Sequence, residues 1–253
     1  MKTRGAITSL LCVLATASAH SLELRSAAMA TATIELYTSE GCSSCPPADA
    51  WLSSLKNDPQ LFTRFIPMAF HVDYWNQLGW RDRFSAAAYS ARQRQMQAHD
   101  VLSQVYTPGF VVNNAEWRGW FKRGSKPSAA QLVNQNRDAG VLTALWESPD
   151  DFITVDFKPQ VLADKPLWAN IAVLGMGLTT RVQRGENSGR TLAHDFVVLS
   201  LERQLLSVDS SDRHHARFKP ANIPERGQQQ SVLAVWVSAG DSPIIVQAVA
   251  GSL

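Results

Sequence analysis

Short apolar, β-branched runs recur along the whole chain, but what separates them changes near residue 148. Thr33-Ile34-Glu35-Leu36-Tyr37 predicts a first strand, and the alanine-rich Ala48-Asp49-Ala50-Trp51-Leu52 predicts a helix after it. Phe65 to Val72 is mostly apolar over the length of a strand, which predicts a buried one, although Pro67 withholds a ladder donor. From Phe84 to Asp100 breakers are scarce, and Phe84, Ala88, Ala91 and Met96 fall at helical spacing, so a long helix is expected. Phe110-Val111-Val112 predicts another strand and Glu116 to Phe121 a hairpin partner. Ser128 to Ala139 predicts a closing helix, with Ser128 as N-cap and Gly140 as terminator. Such alternation predicts a sheet covered by helices over residues 30–147.

After Ser148-Pro149-Asp150-Asp151 the helical spacing disappears. Strands are expected over 152–157, 167–174, 178–184, 195–201, 231–237 and 244–249. Turn-prone clusters such as Gly185-Glu186-Asn187-Ser188-Gly189 and Gly240-Asp241-Ser242-Pro243 separate them. Residues 148–253 therefore predict an all-β, sandwich-like domain, with 210–230 as a long loop. The whole is α+β: an α/β domain followed by an all-β one.

The N-terminus changes the cysteine count. Lys2 and Arg4 precede an apolar run from Ile7 to Ala17, and Ala17-Ser18-Ala19 is a small-residue cleavage pattern, so residues 1–19 read as a signal peptide. Its removal takes away Cys12 and leaves Cys42 and Cys45 alone in a periplasmic or secreted chain, where disulfides form. It also removes Lys2 and Arg4, leaving 22 basic residues against 22 acidic ones. A neutral chain lacks the concentrated positive field that nucleic-acid or polybasic membrane binding needs. No later segment approaches the roughly 20 apolar residues of a membrane span. Neither a Gly-rich phosphate loop nor a nucleophile elbow nor a zinc-protease helix is present, which removes the nucleotide-binding and hydrolase classes.

Cys42-Ser43-Ser44-Cys45 lies between the first strand and the helix after it. At a helix start, unpaired backbone N–H groups and the positive dipole end stabilise a thiolate, the species that attacks disulfides or binds soft metals. Pro46 and Pro47 push the expected helix start to Pro47 and set Cys42 farther from that dipole. Three readings stand open. In the first, an oxidoreductase acts on protein thiols or disulfides of the cell envelope, Cys42 attacking and Cys45 resolving, with no cofactor beyond the pair. In the second, a copper-binding chaperone uses Cys42, Cys45 and His71, since thiolate and imidazole suit soft or borderline metals. In the third, a binding module merely has its loop locked by the disulfide.

His71 and Asp73 fall at the C-terminal end of a predicted strand, the edge where α/β sites gather. His71 is a candidate proton shuttle. Glu40 and Asp49 are candidates for tuning the thiols, Asp49 also suiting a hydrogen bond at the helix start. Trp75 and Trp80 read as packing or groove-wall residues. The Gly185–Gly189 segment reads as a hairpin tip that Arg184 and Arg190 pack against the first half of the chain. His214-His215 is a weak metal signal, and His194 reads as structural.

Several of these motifs resemble one family. They are Tyr37-Thr38-Ser39-Glu40-Gly41-Cys42-Ser43-Ser44-Cys45-Pro46-Pro47-Ala48-Asp49, His71-Val72-Asp73-Tyr74-Trp75 with Leu78-Gly79-Trp80, Tyr106-Thr107-Pro108, and Arg184-Gly185-Glu186-Asn187-Ser188-Gly189-Arg190. Together they resemble the secreted bacterial domain-of-unknown-function 1223 family of the thioredoxin-like superfamily. That resemblance implies a thioredoxin-like α/β domain over 30–147, enlarged by a helical insertion between Trp75 and Asp100. It also implies a redox site in which a cis Thr107-Pro108 faces the cysteines and aligns a partner chain; it implies no substrate.

Overall fold

A computed structural model describes residues 21–122, 128–132 and 137–253. The expected signal peptide lies outside them, as do residues 133–136 of the expected closing helix. The chain runs β1 (Leu22–Arg25), β2 (Ala32–Thr38), α1 (Pro46–Ser54), β3 (Phe65–His71), α2 (Ala87–Ala98), β4 (Gly109–Val112), β5 (Ala115–Glu116), α3 (Ala129–Leu132) and β6 (Gly140–Trp146). It continues with β7 (Ile153–Pro159), β8 (Leu167–Met176), β9 (Leu178–Arg181), β10 (Thr191–His194), β11 (Val197–Leu205), β12 (Ser207–Val208), β13 (His214–Phe218), β14 (Gln230–Ala239) and β15 (Ile245–Ser252).

This architecture corrects the expected fold class. Strands take 42% of the described residues and helices 14%, so the first half is not an α/β thioredoxin-like domain. The apolar runs on the two sides of residue 148 enter one eight-stranded sheet, ordered β15-β14-β8-β11-β3-β2-β4-β5. β2 and β3 are parallel from Ala32↔Phe65 to Thr38↔His71, and β4 runs antiparallel to β2. The other side of β3 takes β11, parallel at Val197↔Ala69. Helical cover is correspondingly thin: α2 is shorter than the expected 84–100 segment, and Gly140, expected to terminate a closing helix, instead opens the strand Gly140–Trp146.

A second sheet, β1-β6-β7-β13-β12, covers the far end of the first. β6 and β7 alternate buried and half-buried residues, the pattern of strands with one face inward. Their Leu142, Val155 and Phe157 pack with Ile171, Leu233 and Val235 of the large sheet. His214-His215, expected in a loop, begins β13 and pairs with β7.

Pro67 is accommodated by its side of the strand. The Ala69 N–H donates to Phe196 O of the segment entering β11 (2.8 Å), and Pro67, two residues earlier, faces the same way. Pairing there begins only at Ala69, so the missing donor costs no ladder bond. Gly140 carries the opposite constraint: its φ is +93°, and a Cβ there would lie 2.1 Å from Lys158 O. Gly140→Ala is expected to cost about 1–3 kcal/mol in backbone strain alone, read as a thermal midpoint lower by several degrees; an unchanged midpoint would refute this placement.

α2 is anchored by charge rather than by an apolar stripe. Its buried Arg92 donates from Nε and Nη2 to the two carboxylate oxygens of Glu35 in β2 (2.7 and 2.8 Å), and Tyr37 Oη donates to Glu35 Oε2 (2.9 Å). Glu35 is fully buried.

Candidate functional site

β2 delivers the chain at Thr38 into a tight turn. Cys42 N–H donates to Ser39 O (3.1 Å) and Cys45 N–H to Cys42 O (3.2 Å). Cys45 then caps α1, its carbonyl accepting from Ala48 (2.8 Å) and Asp49 (3.1 Å). The helix begins at Pro46, one residue before the expected start, because proline suits a first position whose N–H would be unused. Cys42 and Cys45 form a disulfide. Both cysteines are buried, at 1% and 0% exposure, while Ser43 and Ser44 between them are exposed.

The cover over this disulfide comes from far along the sequence. β9 and β10 make a separate two-stranded ribbon, and the turn joining them lands on the cysteine loop. Asn187, 1% exposed, donates from Nδ2 to both Glu40 O (2.9 Å) and Cys42 O (3.0 Å), and Glu186 Oε2 accepts from Ser43 N–H (2.9 Å). Arg190 donates to Asn187 Oδ1 (2.8 Å) and holds the amide in that orientation. Gly185, at φ +77°, sits against Trp80, whose Cβ would be 3.2 Å from an added Cβ. The hairpin tip thus does pack on the first half of the chain, through Glu186 and Asn187 with Arg190 as brace; Arg184 is exposed.

On another side stands Trp75. Its Cβ would lie 3.2 Å from a Cβ added at Gly41, and its Nε1 donates to Thr107 Oγ1 (2.8 Å). The Thr107-Pro108 peptide is cis and leads directly into β4. Trp75 therefore links the cysteine loop to the Thr107-Pro108 segment, and Trp80 links it to the ribbon.

Behind the loop lies a buried group of ionisable side chains: Glu40, Asp49, His71, Asp82 and His194. His71 Nδ1 is 2.6 Å from Asp82 Oδ2, which also accepts from Glu40 N–H (2.9 Å). Burial opposes the His71 charge, but Asp82, helped by Asp49 and Glu40, outweighs it and raises the imidazole to about 9. Asp82 is held low despite its own burial, chiefly by His71. Asp49 is pushed up by burial; its Oδ2 accepts from Thr38 Oγ1 (2.9 Å). Glu40 Oε2 accepts from Trp80 Nε1 (2.8 Å), and Glu40 Oε1 is 3.5 Å from His194 Nε2. The two imidazoles meet edge to face with centroids 5.0 Å apart.

Of the residues singled out in the sequence, Glu40, Asp49 and His71 converge here. Asp73 does not: its backbone N–H and carboxylate both bond Ser90 of α2. The copper set of Cys42, Cys45 and His71 is placed differently, the sulfurs bonded to each other and His71 grouped with Asp49 and His194. Asp82 is not singled out in the sequence, Asn187 enters it only within the hairpin tip, and His194 reads there as structural. Asn187 had a signal in its glycine-flanked turn; Asp82, set between Arg81 and Arg83, and His194 had none. A cleft of about 490 Å³, lined by Leu22, Trp146, Ile223 and Leu253, involves none of these residues.

Fold and site together define a β-rich protein of two packed sheets carrying a buried CxxC disulfide at a helix start. The chain belongs to the family of proteins of unknown function DUF1223, which matches residues 33–238. Two solved structures share its fold. One is the crystal structure of a protein from Agrobacterium tumefaciens, 23% identical, with a TM-score of 0.59 over 87% of this chain and 94% of that one. The other is HBP35 of Porphyromonas gingivalis, 17% identical, with a TM-score of 0.55 over 90% of this chain and 76% of that one. No curated protein matches the sequence. Among the described residues no helix is long and apolar enough to cross a membrane.

Proposed function

We propose that this chain is an exported protein of the periplasm or cell exterior that exchanges its Cys42–Cys45 disulfide with thiols or disulfides of other envelope proteins. The observation that carries the reading is the position of the pair, on a tight turn whose second cysteine caps the first turn of α1. There the helix dipole favours a thiolate on reduction. In the oxidising direction, a substrate thiolate attacks one sulfur, and the other leaves as thiolate. A second substrate thiolate then attacks the mixed disulfide, so the substrate is oxidised and the pair reduced. In the reducing direction, Cys42 attacks and Cys45 resolves. Thr107-Pro108, linked to the loop through Trp75, lines the approach of an extended partner.

The first test is the reduction potential of the pair in graded glutathione buffers. The expected value lies within the roughly −120 to −270 mV of working oxidoreductases, and one below about −300 mV would mark a structural staple instead. A Cys45→Ala variant should also accumulate mixed disulfides that a reducing gel resolves. Finding none, where a known oxidoreductase variant yields them, would overturn the exchange reading.

A further inference from the structure

Among the described residues, four buried side-chain polar atoms without a hydrogen-bond partner belong to one place: Glu40 Oε1, His71 Nε2, and Nδ1 and Nε2 of His194. A buried polar atom left unsatisfied destabilises the fold, so four together in one spot call for a common explanation. His71 is 0% and His194 2% exposed. One atom from each of Asp49, His71 and His194 lies within 4.8 Å of the others, and no other described group of histidine, cysteine and carboxylate residues meets that condition.

We propose that Asp49, His71 and His194 form a binding site for a divalent metal ion of the zinc class, set behind the cysteine loop and built without the cysteines. Two imidazoles and one carboxylate are a donor set that zinc accepts, with one position left for water. The outer contacts fit as well. A ligating histidine characteristically gives its other ring N–H to a carboxylate, which fixes the tautomer and the ring. His71 already has that partner, Nδ1 lying 2.6 Å from Asp82, so Nε2 faces the ion. His194 has one too: if Nδ1, 4.0 Å from Asp49 Oδ1, ligates, then Nε2–H is left to donate to Glu40 Oε1 at 3.5 Å.

A single ion therefore takes up two of the four orphaned atoms, His71 Nε2 and His194 Nδ1, fixes the tautomer that turns His194 Nε2–H toward Glu40 Oε1, and leaves Asp49 Oδ2 on Thr38. Ligand atoms around zinc stand about 3.3–3.5 Å apart, so the 4.0 Å His194–Asp49 separation needs to close by about half an ångström, and separations to His71, which reach no more than 4.8 Å, by up to about 1.5 Å. Binding displaces the proton from His71 Nε2 to solvent. The ion would join three elements that hold the cysteine loop, since Asp49 is in α1, His71 ends β3 and His194 ends β10.

The test uses the full chain in its oxidised form, stripped with EDTA and titrated with Zn²⁺ against a chromophoric chelator, and with Co²⁺ for its visible spectrum. One ion per chain is expected, with cobalt bands of nitrogen and oxygen ligation and no thiolate charge-transfer band. Cys42→Ser/Cys45→Ser should bind equally. His71→Gln and His194→Gln, taken only if their circular dichroism is native, should each lose tenfold or more in affinity, and Asp82→Asn about 10–100-fold. If the histidine variants fail to fold, the cobalt spectrum and the behaviour of the double serine variant decide. No ion bound at micromolar Zn²⁺, loss of binding with the cysteines, or retention in both folded histidine variants would overturn the site.

Discussion

Arg92→Ala is expected to destabilise the protein by about 3–5 kcal/mol, the cost of leaving a buried carboxylate without its partner. Glu35 is 0% exposed and lies on β2, third from one end of the large sheet, where its two oxygens receive Arg92 and Tyr37. Burial of the guanidinium works against its charge, but Glu35 more than compensates and raises its pKa. The effect is a statement about the orphan rather than about the pair. Adding Glu35→Gln to Arg92→Ala removes the charge that has nowhere to go, so the double variant should be more stable than Arg92→Ala by at least about 1 kcal/mol. Urea midpoints of the two variants measure this, and simply additive losses would show that the carboxylate is solvated after all.

Asn187→Ala is expected to speed reduction of the Cys42–Cys45 disulfide by dithiothreitol roughly 5- to 150-fold, with the overall fold retained. The amide is donor to two carbonyls of the cysteine loop, Glu40 O and Cys42 O, and its own oxygen is held by Arg190. Removing it leaves Glu40 O without that donor and Cys42 O with the Cys45 N–H alone, a penalty of about 1–3 kcal/mol that falls on the closed arrangement alone. Since the sulfurs are buried, reduction proceeds through an opened loop, and that free energy enters the rate directly at tenfold per 1.36 kcal/mol. Arg190→Ala, which loosens the same amide without deleting it, should give a smaller acceleration in the same direction. Equal rates in all three proteins would show that the turn does not gate the bond.

Local structure was legible wherever period and punctuation agreed. The first strand, the helix beginning within one residue of its expected start and the hairpin tip at Gly185–Gly189 all follow from neighbours in sequence. What could not be read was which strands share a sheet. Nothing near Phe65–His71 says that its second partner begins at Val197, because that pairing is settled by which apolar faces remain uncovered after the helices fall short. The same limit hid half of the site. Glu40, Asp49 and His71 stand close to the cysteines along the chain or at a strand end, whereas His194 and Asn187 arrive through the β9–β10 ribbon. Asp82 looks in sequence like one charge in the Arg81-Asp82-Arg83 stretch, and only the turn back onto β3 gives it His71. Gly140 was read as a terminator, and it is instead the first residue of a strand.

The interleaving of the sheets sets a clock on biosynthesis. Gln247 in β15 donates to Ala27 O and Gly140 O and accepts from Thr31 N–H, tying the approach to β2 to a residue more than two hundred positions later. At the 5–20 residues per second of translation, roughly 10–40 s separate the appearance of β2 from that of its last tie. Throughout that interval β2 and β3 have formed no complete sheet, and the buried side of each remains exposed to whatever binds unfolded chain. Such a polypeptide is held open by its own topology, without any need for a slow local step, until its distant strands arrive.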